Sequence, residues 1–65
     1  MSKFPDVTVQ LTGRDGNVFA IIGSVSKALK RAGHTDAATE FSNRAMSCES
    51  YDAVLRLAMD TVDVA

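Results

Sequence analysis

The sequence predicts a small α+β domain in the element order β-α-α-α-β, and three features carry that expectation. Residues 6–12, "DVTVQLT", alternate Val7, Val9 and Leu11 with Thr8, Gln10 and Thr12, the period of a strand with one buried face. From Val18 the apolar residues recur instead at steps of three and four, the period of a helix. Glycine and polar clusters at 33–36 and 47–50 then divide the rest into two further helical segments and a tail.

The first strand follows Pro5, whose missing N–H does least harm at a strand's start, and residues 1–5 are expected to be flexible. Helix one places Val18, Ile21, Ile22, Val25, Ala28, Leu29 and Ala32 on one face and stops at Gly33, a residue that closes helices in the left-handed conformation. Lys27, Lys30 and Arg31 fall in its last turns, beside the negative end of the macrodipole. Thr35 or Asp36 is expected to cap helix two, which aligns Ala38, Phe41 and Ala45. "MSCES" ends it, and Ser50 or Glu49 introduces helix three with Tyr51, Val54, Leu55, Ala58 and Met59 on one stripe. The tail, "TVDVA", reads as the end of helix three or as a last strand. Its β-branched Val62 and Val64 favour a strand paired with residues 7–11.

A chain of 65 residues is read as one domain, residues 1–65, and so small a domain buries only about 60% of its unfolded surface. Disulfide and zinc staples are both excluded, since Cys48 and His34 are the sole residues of their kinds. Helix one, with Val18, Phe19 and Ile22 near its start, is apolar over more than one face. Those residues and Val25 are therefore the predicted interface of a homo-oligomer, with a strand edge as the other route to assembly. No apolar run has the length of a signal peptide's core or a membrane span, and the lone cysteine fits a reducing compartment. A cytoplasmic protein without membrane contact is expected.

Charge and motif content narrow the function by exclusion. The net charge of −1 speaks against a general nucleic-acid binder, although residues 1–34 hold five basic residues against two acids and residues 35–65 hold two against six. A helix-turn-helix fails at the residue after Gly33, which is His34 where an apolar side chain belongs, and at Thr39 and Ser42 where buried residues belong. Nucleophilic catalysis needs a base, and the single histidine sits in an interhelical turn. No catalytic residue, metal ligand or cofactor is assigned, and the protein is read as not an enzyme.

The stretch "GRDGN" turns the strand into helix one, with Gly13 and Gly16 supplying unusual backbone angles and Asn17 a helix cap. The same geometry would present unpaired N–H groups to an anion, with Arg14 as a charged donor. Gly13, Arg14, Gly16 and Asn17 are thus the candidate ligand-binding residues of an anion- or nucleotide-binding alternative. The spacing matches neither the P-loop nor the dinucleotide fingerprint.

With "GRDGNVFAIIGSVSKALKRAG" and the later Tyr51-Asp52 in view, the chain resembles a family of small uncharacterised proteins of bacteriophages, prophages and mobile elements. The shared pattern is a strand, Gly-x-Asp-Gly-Asn-x-Phe, and a helix ending Ala-Leu-x-x-Ala-Gly. Here it is carried by Gly13, Asp15, Gly16, Asn17, Phe19, Val25, Ala28, Leu29, Ala32 and Gly33. The resemblance implies a phage setting and an accessory protein that acts by stoichiometric binding to a host or phage protein, an anti-defence role included.

Overall fold

The computed structural model describes residues 2–10 and 18–64. Strand β1 spans Phe4–Val9, helix α1 Val18–Arg31, α2 Thr35–Met46, α3 Tyr51–Thr61 and strand β2 Val62–Val64. The order is the β-α-α-α-β read from the sequence, and the two strands lie side by side in parallel. Parallel pairing follows from the connection, because three intervening helices carry the chain back to the starting end of β1 before β2 begins.

Within the N-terminus read as flexible, residues 3–5 contact the rest of the fold. Strand β1 begins at Phe4, opposite Val62, and the Lys3 N–H donates to the Asp60 carbonyl at 2.9 Å. Pro5 lies inside the strand where the register shifts between Phe4 and Thr8, an irregularity that tolerates a residue without an N–H. Beyond it Thr8 faces Asp63 and Val9 faces Val64. The tail is therefore a strand, with Val62 fully buried and Asp63 exposed.

Helix α1 closes as its glycine predicts. Gly33 adopts a φ of +89°, its N–H donates to the Lys30 carbonyl, and the His34 N–H reaches back to the Leu29 carbonyl at 2.8 Å, the paired bonds of a Schellman motif. That closure sets His34 itself at the cap of α2, with no side-chain cap bond, so neither Thr35 nor Asp36 caps it. Asp36 instead occupies the first turn, where its charge suits the positive end of the helix. Ser50 does cap α3, accepting a hydrogen bond from the Ala53 N–H at 3.1 Å.

One core joins all five elements: Val7 and Val9 from β1, Ile21, Ile22, Val25 and Leu29 from α1, Ala38, Phe41 and Ala45 from α2, Val54 and Ala58 from α3, and Val62 from β2. Met59, assigned to the buried stripe of α3, is 55% exposed; Thr61 is buried in that helix and donates to the Leu57 carbonyl at 2.7 Å. Where α1 crosses α2, the hydroxyls of Ser26 and Ser42 meet at 2.6 Å, so two small polar residues satisfy each other at a close approach.

Candidate functional site

The predicted ligand loop, Gly13, Arg14, Gly16 and Asn17, lies outside the described residues. The predicted interface divides. Val25 is 0% exposed and Ile22 8%, both inside the chain's own core; Val18 is half-buried against that core; Phe19 is 69% exposed. The burial of Ile22 and Val25 within the single chain has a physical cause. Helix α1 packs against α2, α3 and β1, and a helix with three neighbours needs a wide apolar arc without any second subunit.

His34 is half-buried and clamps the first strand to the turn between α1 and α2. Its Nε2 lies 3.3 Å from Asp6 Oδ2, and its ring sits 4.5 Å from that of Phe4. Cys48 is half-buried, its thiol directed to the Arg44 carbonyl at 3.5 Å. Among the described residues no group of three His, Cys, Asp or Glu is placed to hold a metal ion, and no helix is long and apolar enough to cross a membrane.

A different surface stands out, and it follows from the sheet. Among the described residues β1 pairs with β2 alone, so its other edge carries unpaired backbone N–H and C=O groups. Alongside that edge runs a groove of about 560 Å³. One wall is five consecutive residues of β1, Asp6 to Gln10. Consecutive residues, which alternate between the two faces of a strand, all line it, as befits a groove along the edge and not over one face. The other wall is a stripe of α1 at helical spacing: Ser24, Ala28 and Ala32, with Lys27 and Arg31 beside them.

The electrostatics of this groove are one-sided. Asp6, its only acid, is already engaged by His34, whereas Lys27 and Arg31 are exposed and make no ion pair among the described residues. A second, smaller depression of about 310 Å³, between β1, α2 and α3, is balanced instead, with Asp36 and Glu40 set against Lys3 and Arg44. Sequence periodicity could assign Lys27 and Arg31 to the last turns of α1. It could not show them beside an open strand edge, because that neighbour is distant in the chain.

No protein-family model matches the chain, and no curated protein or solved structure matches it either.

Proposed function

We propose that this is a non-catalytic interaction protein that binds another protein stoichiometrically through the groove between β1 and α1. One observation carries the reading: among the described residues, a strand edge with no second neighbour lies beside two cations that make no ion pair. Backbone groups at such an edge are hydrogen-bonding capacity that a second polypeptide can satisfy, and natural proteins keep an edge uncovered either behind a defence or for use. The resemblance to small phage and mobile-element proteins supports the same class of action and directs the search to host or phage proteins, host defence components among them.

The test is affinity capture from a bacterial lysate, with and without phage infection, on immobilised protein. Three baits are compared with the parent: Lys27→Glu, Arg31→Glu and Lys30→Glu. All three change charge equally at exposed positions of one helix, and only the first two line the groove. A partner retained in stoichiometric amount by the parent and by Lys30→Glu, and lost by the groove variants, is the expected result. A protein that retains nothing, or whose partner ignores the groove, refutes the proposal.

A further inference from the structure

We infer that the occupant of the groove is an extended acidic segment of the partner, added as a third strand to the free edge of β1 with carboxylates at alternate positions facing Lys27 and Arg31. This rests on the protein-binding reading and narrows it to a partner chemistry.

The dimensions of the two walls fit a strand. Five residues of β1 offer an edge roughly 17 Å long at about 3.3 Å per residue, enough for a segment of similar length to pair along it. An added strand lies about 4.8 Å from its neighbour. On that side α1 presents Ser24, Ala28 and Ala32, whose short side chains leave room for an incoming backbone. The spacing of the cations fits as well. Lys27 and Arg31 are four residues apart, which along a helix is roughly 6 Å, and alternate residues of a strand on one face are about 6.6 Å apart. Two carboxylates at positions i and i+2 of the segment therefore meet one cation each.

Charge chooses among occupants. Among the described residues that line the groove, two cations, Lys27 and Arg31, stand against the one carboxylate of Asp6, and this positive excess selects acids. A second copy of this chain fits less well. Antiparallel pairing of β1 with its own copy would bring Lys27 and Arg31 of both chains to one seam, and β2 has only three residues to set against an edge of five.

The experiment titrates the isotope-labelled full chain with short peptides of repeated Glu-Val, and with three comparisons: repeated Gln-Val, repeated Lys-Val, and a block isomer with all glutamates followed by all valines. Amide shifts give affinity and location, and hydrogen exchange reports strand addition. The Glu-Val repeat is expected to bind, with shifts and slowed exchange at Asp6 to Gln10. The Gln-Val repeat and the block isomer should bind roughly tenfold more weakly, and the Lys-Val repeat should not bind. Lys27→Glu and Arg31→Glu should each weaken the Glu-Val complex roughly tenfold, and Lys30→Glu less than about twofold.

The inference is overturned if the Glu-Val repeat fails to bind, if Gln-Val binds equally well, or if exchange at β1 is unchanged in the complex. Concentration-dependent self-association that Arg31→Glu abolishes overturns it in favour of a second copy. Peptides that show no preference while capture of a protein still depends on the groove overturn the acidic strand alone, whereas capture indifferent to the groove removes the reading beneath it.

Discussion

The same chemical change, Gly→Ala, should have opposite effects at two positions of this chain. Gly23 lies within α1, is exposed, and a methyl group added there would meet nothing within 4 Å. Alanine at that site removes backbone freedom from the unfolded chain without cost in the folded one, so Gly23→Ala should stabilise by about 0.8–1 kcal/mol. Gly33 has equally open surroundings, but its φ is +89°. An L-residue there pays for the left-handed backbone alone, about 1–2 kcal/mol, because no steric contact adds to it. A domain of 65 residues has total stability of roughly 3–10 kcal/mol, so both effects are large fractions of it. At about 4–8 °C per kcal/mol, the melting temperature should rise by roughly 3–8 °C for Gly23→Ala and fall by roughly 4–16 °C for Gly33→Ala. Thermal and urea denaturation followed by circular dichroism measure both. A loss at Gly23 would contradict the regular helix there, and a neutral or stabilising Gly33→Ala would contradict the left-handed closure.

Other perturbations test the packing and the choice of site. Ile22→Asp places a charge among core residues and should abolish folding at every protein concentration, at a cost above about 4 kcal/mol; a folded monomer by circular dichroism and light scattering would return Ile22 to an interface role. Ser26→Ala and Ser42→Ala should each cost about 1 kcal/mol by stranding the other hydroxyl, and the double variant should cost clearly less than the sum; additive melting data would deny the contact. A thermal-shift screen against nucleotides, cyclic ones included, should leave the melting temperature in place. A saturable shift lost in Arg14→Ala would move the function to the loop from Gly13 to Asn17, since a ligand at 100 times its Kd stabilises by about 2.7 kcal/mol.

What was legible in the sequence was whatever depends on local period and local backbone chemistry. The change from alternation at Val7 and Val9 to helical spacing at Ile21, Ile22, Val25 and Leu29 marks the first strand and helix, and Gly33 ends that helix where its conformational freedom is needed. The apolar stripe of α2 is buried as its spacing requires. The misreadings share one cause, which is that burial and pairing depend on neighbours far along the chain. Phe4 joins a strand ahead of a proline because β2 comes to lie beside it, and Val25 is buried within the chain because α1 packs against α2 and α3. His34 reads only as a residue of the interhelical turn until the fold sets Asp6 and Phe4 against it. The candidate groove was hidden for the same reason: Lys27 and Arg31 are ordinary helix-end cations in sequence and become a site only beside the open edge of β1.

Binding at the edge of β1 is tested most directly by amide hydrogen exchange of the chain alone and in complex with the protein that it retains from lysate. Slowed exchange is expected at Asp6 to Gln10, with the flanking stripe from Ser24 to Ala32 as the only other region affected, and with that protection lost in Arg31→Glu. Protection confined to α3 or to residues 11–17, with exchange along β1 unchanged, would contradict it.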